Sequence, residues 1–288
     1  MINFSVLIPV YYKERAEYFK QTLESVINQT VIPSEIVIVK DGKLTEALEN
    51  VIEEFINNTK IKIKIIPLIE NVGAGKALAI GIKECSYEYI ARIDSDDIAV
   101  NNRFELQTTF LEENPEFDII SGYIEEFNEK SLQKTYIRKV PVTDSEIKKY
   151  IKYRSPLNHS AAMYKKESIL KIGNYGNLRK MEDYDLWIRA VKNNLKLYNI
   201  PEILLKVRVE NNTYKKRGGL KYIKIIVYIQ NRLKANGIIS TKEQIKNTIF
   251  RSLVAIMPYG LRKYVYLKFL RKETTYGTKN NSNNECIQ

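Results

Sequence analysis

Phe4-Ser5-Val6-Leu7-Ile8-Pro9-Val10 is an unbroken apolar, partly β-branched run that a turn then stops, which is how a strand buried on both faces reads. Such a strand needs helices above and below it, and the residues that follow supply them. Phe19, Leu23, Val26 and Ile27 share one helical stripe. Glu35-Ile36-Val37-Ile38-Val39-Lys40 is a second buried strand ending at Asp41-Gly42. A helix over 44–58 carries Leu44, Leu48, Val51, Ile52 and Phe55 at three- and four-residue spacing, and a strand over 61–66 follows. A helix over 73–84 then leads to a strand over 88–93. Strands alternating with helices imply βαβ units, so the expected class is α/β with a mostly parallel sheet. Ligands of such sheets bind beyond the carboxyl ends of the strands, where Pro9-Val10-Tyr11, Lys40-Asp41-Gly42 and the residues after 93 all fall.

The third of these ends carries the most chemistry. Arg92-Ile93-Asp94-Ser95-Asp96-Asp97 sets three carboxylates within four positions. They repel one another unless a cation lies between them, and hard oxygen donors suit Mg²⁺ or Mn²⁺ rather than zinc. A metal of this type is held by one or two carboxylates together with substrate phosphates, which points to nucleotide diphosphate chemistry. The alternative is a solvated acidic turn capping a helix that starts near Asn101.

Beyond residue 116 the alternation loosens. Strands are expected over 117–127 and 132–140, a helix near 143–153, a strand near 159–164, a helix over 182–194, and strands near 195–199 and 203–208. These make one domain over 1–212, in halves of about 1–116 and 117–212. The charge then changes abruptly: residues 1–212 carry 30 Lys+Arg against 31 Asp+Glu, whereas residues 213–272 carry 15 against 1. A near-neutral domain with a basic appendix suggests that the appendix has an acidic partner of its own. Residues 220–236 and 249–272 mix aliphatic and aromatic residues with Lys and Arg at helical intervals, as helices lying on an anionic membrane surface do. The alternative is a helical extension packed on the domain with a solvated basic face. No nucleic-acid motif accompanies the charge, so no nucleic acid is expected as a partner. Residues 273–288, rich in Asn, Thr and Ser, read as a disordered tail.

Cys85 and Cys286 are too few for a disulfide framework, and with His159 the only histidine a Cys/His zinc site is not expected; this fits a reducing cytosol. Met1-Ile2-Asn3-Phe4 runs straight into the first strand without a basic leader, so no signal peptide is expected. No run of 18 uncharged apolar residues is present, so no membrane-spanning helix is expected.

Two further segments are candidates for chemistry. Asn71-Val72-Gly73-Ala74-Gly75-Lys76-Ala77 has the look of a phosphate loop, but a P-loop needs Gly and Ser/Thr where Glu70 and Ala77 stand. Its small residues suit close packing of a helix on the sheet. Glu182-Asp183-Tyr184-Asp185-Leu186-Trp187 opens a helix with three acids, where capping needs only one. Near a metal site, one of these carboxylates could act as a general base toward an alcohol.

Taken in order, Ser-Val-Leu-Ile-Pro-Val-Tyr-Tyr-Lys-Glu, Glu-Ser-Val-Ile-Asn-Gln-Thr, Glu-Ile-Val-Ile-Val-Lys-Asp-Gly, Asn-Val-Gly, Ala-Arg-Ile-Asp-Ser-Asp-Asp and Glu-Asp-Tyr-Asp-Leu-Trp resemble glycosyltransferase family 2 through residues 4–208. Lys40-Asp41-Gly42 with Arg217-Gly218-Gly219 most resembles the capsular and exopolysaccharide branch typified by amylovoran biosynthesis enzymes. The resemblance implies a GT-A, Rossmann-like fold with a C-terminal helical extension. It also implies a nucleotide-sugar donor and inversion at the anomeric carbon, with a nucleotide/metal half followed by an acceptor half. A lipid-linked saccharide acceptor, and a cytoplasmic enzyme peripheral on the inner face of the cell membrane, follow from the same branch. By position, Pro9, Tyr11 and Glu14 would border the nucleotide and Asp41 would contact its base. Lys40 stands where the family usually has another acid. Arg92, Asp94, Ser95 and Lys76 would face ribose and phosphates, and Asp96 with Asp94 would hold Mg²⁺ or Mn²⁺. Asp183 would be the base, with Glu182 and Trp187 on the acceptor side. His159 is expected beside the donor phosphates and metal, or else as a satisfied structural residue. Arg208 and Arg217 could meet the diphosphate, or serve as structural ion-pair partners. A sugar nucleotidyltransferase, or a basic adaptor with a degenerate transferase domain, would account for parts of the same pattern.

Overall fold

The computed structural model describes residues 2–128, 135–209, 218–270 and 272–274. The first half runs β1 (Phe4–Val10), α1 (Ala16–Ile27), β2 (Glu35–Lys40), α2 (Glu46–Asn58), β3 (Lys62–Pro67), α3 (Ala74–Glu84), β4 (Tyr89–Arg92), β5 (Ile98–Ala99) and α4 (Arg103–Glu113). The second half adds β6 (Ile119–Phe127), β7 (Thr135–Arg138), α5 (Asp144–Tyr150), a 3₁₀ turn at His159–Ala161, β8 (Met163–Lys165), α6 (Lys166–Lys171), α7 (Glu182–Lys192) and β9 (Leu197–Arg208). Three helices follow, α8 (Leu220–Ala235), α9 (Thr241–Ile256) and α10 (Tyr259–Leu270), and then β10 (Lys272–Thr274).

β1 is buried along its whole length, and its alternate residues enter different cores. Phe4, Val6, Ile8 and Val10 join Phe19, Leu23 and Phe104 from α1 and α4 on one face. Leu7 joins Leu78, Ile82 and Trp187 from α3 and α7 on the other. The strands β3-β2-β1-β4 are parallel throughout. The sheet continues from β4 through β8, β6 and β7 to β10 by antiparallel pairing, while β9 runs parallel to β6 and antiparallel to β5. Because β2 and β3 lie on one side of β1 and β4 on the other, the topological switch point is between β1 and β4. Their carboxyl ends frame the crevice where such sheets bind ligands. At the opposite ends of the strands the buried Glu35 carboxylate accepts from Ser5 Oγ (2.8 Å), Ser86 N–H (2.8 Å) and Ser86 Oγ (2.7 Å). It thereby pins β1 and β2 to the turn before β4.

Several elements differ from the sequence expectation. Residues 195–199 and 203–208 form one strand, because a register shift opposite Gly122 and Tyr123 leaves Pro201 and Glu202 without ladder partners and so accommodates a residue that has no N–H. The strand expected near 159–164 is displaced to Met163–Lys165 behind the 3₁₀ turn. Of the strand expected over 132–140, Thr135–Arg138 is paired and 132–134 lie outside the described residues. The expected disordered tail begins within β10; residues 275–288 lie outside the described residues. No described helix is long and apolar enough to cross a membrane.

The helical extension is partly core. Ile229 and Leu233 of α8, with Ile239, are buried in the same cluster as Leu186 and Trp187 of α7. Arg232 Nε donates to Asp185 Oδ1 at 2.7 Å, and Asp185 also holds Arg189 Nε at 3.0 Å. α9 begins with a capping box of Ser240 and Glu243, and its inner face donates from Asn247 to the Lys152 carbonyl at 3.1 Å.

Candidate active site

A cleft of about 340 Å³ opens at the switch point. Pro9, Tyr11 and Glu14 line it from the end of β1, Asp41 from the end of β2, and Asp94, Ser95 and Asp96 from the end of β4. Seven residues expected at the donor site, spread over more than eighty positions of sequence, are thus brought to one cavity. Glu14 and Ser95 are joined directly, the Ser95 hydroxyl donating to Glu14 Oε2 at 3.0 Å. Arg92 lies beneath the floor, 2 % exposed, with both terminal nitrogens on the Asp94 carboxylate (Nη1 to Oδ2, 2.9 Å). This fork fixes the Asp94 rotamer and sets a buried cation behind the cleft.

The turn after β3 completes the wall with Asn71, Gly73 and Ala74, which the sequence reading did not assign to the site. Asp41 organises it: Oδ1 accepts from Val72 N–H (2.7 Å), and Oδ2 from Gly73 N–H (3.0 Å) and Asn71 Nδ2 (2.9 Å). Asp41 therefore caps the amino end of α3 as well as facing the cavity. Its neighbour Gly42 has φ +87°, and a Cβ there would sit 2.9 Å from the Asn71 nitrogen, so the turn admits only glycine without moving backbone. The only signal in the sequence was the Asn-Val-Gly triplet, and nothing in a linear reading pairs it with an aspartate thirty residues earlier. Lys40 turns away from the cavity, its Nζ donating to Glu49 Oε2 of α2 at 2.7 Å.

The acids crowd one another. Burial pushes the Asp96 carboxyl up to about 7, and the charges of Asp94 and Glu14 add to it. Burial likewise raises Asp97 well above the carboxylate range, with Asp94 and Asp96 adding to it, and its Oδ2 has no hydrogen-bond partner among the described residues. Arg208 closes this side, its Nε donating to the Asp96 carbonyl at 2.9 Å and its guanidinium lying 4.0 Å over the Tyr18 ring. Among the described residues no three His, Cys, Asp or Glu side chains converge to hold a metal by themselves. Asp94 and Asp96, two carboxylates lining one cleft, fit a hard divalent cation that takes its remaining ligands from a diphosphate.

The acids expected on the acceptor side open the first turn of α7. Its N-cap, Met181, is left-handed at φ 58°, which bends the chain so that Glu182, Asp183 and Asp185 all open the helix. This turn lies against the first turn of α3: a Cβ on Gly75 would be 3.2 Å from both Glu182 Cβ and the Leu178 carbonyl oxygen. Burial pushes the Glu182 carboxyl up to about 7, helped by the charge of Asp183. Asp183 accepts from Ser155 Oγ at 3.2 Å.

Three expected site residues are placed otherwise, and a fourth lies outside the described residues. Trp187 is fully buried on the core face of α7, so it supports that helix from the core and does not line an acceptor surface. Lys76 is exposed on the first turn of α3, between the buried Gly75 and Ala77, and is outside the residues that line the cleft. His159 Nε2 is hydrogen-bonded to the Tyr175 hydroxyl at 2.5 Å, and the ring packs edge-on to Trp187. Burial, with the Arg92 charge, pulls its pKa well down, so the imidazole is neutral and only Nδ1 is left for another contact. Arg217 lies outside the described residues.

The chain is similar to several known proteins. An Escherichia coli UDP-Gal:alpha-D-GlcNAc-diphosphoundecaprenol beta-1,3-galactosyltransferase is 38 % identical over 270 residues, 94 % of this chain and 97 % of the relative. The amylovoran biosynthesis glycosyltransferase AmsE of Erwinia amylovora is 33 % identical over 271 residues, covering 92 % and 98 % of the two chains. The crystal structure of Staphylococcus aureus TarS 1-349 in complex with UDP-GlcNAc superposes with a TM-score of 0.66 over 93 % of this chain and 76 % of that one, at 18 % identity, and so shares the GT-A fold. The sequence profile described as glycosyl transferase family 2 matches residues 5–173, which run from β1 through the acidic motif after β4 to α6. By profile, relatives and fold together, the chain belongs to glycosyl transferase family 2.

Proposed function

We propose that this protein is an inverting, divalent-metal-dependent hexosyltransferase of surface-polysaccharide synthesis. It moves a hexose or N-acetylhexosamine from a UDP-sugar to a lipid-linked saccharide at the inner face of the cell membrane. One observation carries the reading: the first turn of α3 lines the acidic cleft with Ala74 and packs at Gly75 against Glu182, whose carboxyl feels the charges of both Asp183 and Asp94. The galactosyltransferase relative, whose named acceptor is a diphosphoundecaprenol, supports the lipid-linked acceptor and makes UDP-galactose the first donor to test.

In this reading the nucleotide lies along the ends of β1 and β2, between Tyr11, Glu14 and Asp41, with its diphosphate toward Asp94 and Asp96. Those two carboxylates would hold Mg²⁺ or Mn²⁺, which supplies Lewis-acid stabilisation of the charge on the departing diphosphate. Arg92 keeps Asp94 oriented for that task. The acceptor hydroxyl forms its bond to the anomeric carbon as the bond from that carbon to the phosphate oxygen breaks, and Asp183 takes the hydroxyl proton. A single displacement needs one base and no protein nucleophile, which is why one free acid at the start of α7 suffices.

The test is a panel of UDP-sugars with Mn²⁺ or Mg²⁺ and a polyprenyl-diphosphate monosaccharide, read as release of UDP and a product one sugar longer. Asp96→Ala should abolish transfer and weaken metal-dependent UDP binding in a protein that is still folded. Pyrophosphate as product, or full turnover by folded Asp96→Ala, would overturn the reading.

A further inference from the structure

On α9 every exposed position from 242 to 256 lies on one side of the helix. Ile245, Ile249, Phe250, Leu253 and Ile256 are each between 51 % and 67 % exposed, and Lys242 and Lys246 are exposed among them. Their spacing of three, four and seven residues makes one continuous apolar stripe about 17 Å long, at 1.5 Å per residue. The opposite side of the helix is the packed one: Ala255 is buried, and Asn247 and Arg251 donate to the Lys152 and Tyr153 carbonyls. A soluble surface helix has the reverse arrangement, apolar residues inward and polar residues outward.

We infer that the outer face of α9 is a membrane-docking surface that seats the enzyme on an anionic bilayer, with the aliphatic stripe in the headgroup–acyl boundary and Lys242 and Lys246 against lipid phosphates. Charge selects this occupant. Residues 218–270 hold ten Lys and Arg and a single acid, Glu243, whose carboxylate is engaged by the Ser240 N–H and by Lys152. A second copy of the chain meeting this face two-fold symmetrically would set the same lysines against each other. A nucleic acid would leave four large aliphatic side chains without base or phosphate to meet. An anionic bilayer satisfies both components at once, insertion for the aliphatics and counter-charge for the lysines. The sequence expectation covered residues 220–236 and 249–272; Ile229 and Leu233 of α8 are buried in the α7 core, whereas the continuous exposed stripe lies on α9, whose residues 241–248 fell outside those segments. The inference deepens the lipid-acceptor reading, because an enzyme seated this way meets its acceptor in two dimensions.

The experiment is co-sedimentation of the full-length protein with phosphatidylglycerol/phosphatidylcholine vesicles and with phosphatidylcholine vesicles alone. UDP binding of each variant is measured alongside as the readout of the donor site. The wild type should bind the anionic vesicles and bind neutral ones far less. Ile249→Glu with Leu253→Glu should lose at least about tenfold in vesicle affinity at any salt, since each charge must enter the boundary layer. Lys242→Glu with Lys246→Glu should lose about fivefold or more per lysine, and should remove salt sensitivity. Phe250→Trp should report a blue-shifted emission on anionic vesicles, quenched by brominated acyl chains. All variants should keep UDP affinity, which separates failure of this surface from failure of the transferase reading. Vesicle binding unchanged in Ile249→Glu/Leu253→Glu, no vesicle binding by the wild type, or a vesicle-free dimer that those substitutions dissolve would each overturn the inference.

Discussion

Asp183 and Glu182 are neighbours in sequence and differ in surroundings, and the difference sorts their roles. Asp183 is partly open and held by a single serine hydroxyl, whereas Glu182 is pressed against the first turn of α3, where burial and the charge of Asp183 raise its carboxyl to about 7. Asp183→Asn keeps the shape but cannot take the acceptor proton, so the transfer rate should fall about 10²–10⁴-fold with UDP affinity unchanged; steady-state kinetics beside calorimetric donor titration reads both. An unchanged rate with acceptor saturating would move the base to Glu182. Glu182 also has a pH signature. Its folded pKa is above the ordinary value of 4.5, so the native state holds this proton across the interval between the two values. The stability contributed by the protonated form is complete below about 4.5 and is lost as pH rises to about 7. Glu182→Gln should therefore stabilise the fold by an amount that grows over that window to about 1–3 kcal/mol and stays flat above it. Melting curves at pH 5 and pH 8 measure the difference, and a pH-independent effect would contradict the burial assigned to this carboxyl.

The start of α7 is set from two directions, by α3 in front and by α8 behind. Gly75 lets α3 approach closely, and the pair of arginines on Asp185 ties the first turn of α7 to its own second turn and to α8. Arg232→Met removes one of the two cations from a carboxylate that is only 5 % exposed. A buried carboxylate that loses a partner is costly, but the Arg232 side chain is itself 34 % exposed, which screens part of the interaction. The expected loss is about 1–2 kcal/mol of stability, measured by urea denaturation. Transfer should slow more than donor affinity falls, since the displaced element carries Asp183 and not the nucleotide cleft. A variant with normal stability and rate would show that α8 does not position α7.

For the whole molecule, the consequential fact is that the basic extension divides into an integral helix and an outward-facing one. Ile229, Leu233 and Ile239 are buried with the α7 core, and at about 1.5–3 kcal/mol for each such side chain their contribution is about 5–9 kcal/mol as an upper estimate. That is comparable to the entire stability of an ordinary domain, about 5–15 kcal/mol. A chain ending at residue 217 should consequently lose cooperative melting and expose apolar surface to a reporter dye, and should not survive as a working catalytic domain. Point changes on the outer face of α9 should leave the melting temperature within about a degree or two, because those side chains make no core contact. A truncated chain that melts cooperatively near the full-length temperature would return α8 to the status of an appendage.

The sequence by itself determined the βαβ alternation, the strand ends where chemistry collects, the acidic motifs at 94–97 and 182–185, and the family. Each of these is local: a period of two or 3.6 tells which face of an element is apolar, and a charge cluster is legible wherever it lies in the chain. What the period does not carry is the identity of the element that covers the face. Only the tertiary structure set β4 beside β1 and so made one cleft of residues from Pro9 to Asp96. Only the packed structure joined Asp41 to the 71–73 turn, buried Trp187, and left Lys76 outside. The same reason governs the carboxyl-terminal helices, where residues 220–236 and 249–272 read alike as basic amphipathic segments. The apolar side of one is covered by α7 and that of the other faces solvent, a difference that depends on which surface was still unfilled when the chain reached it.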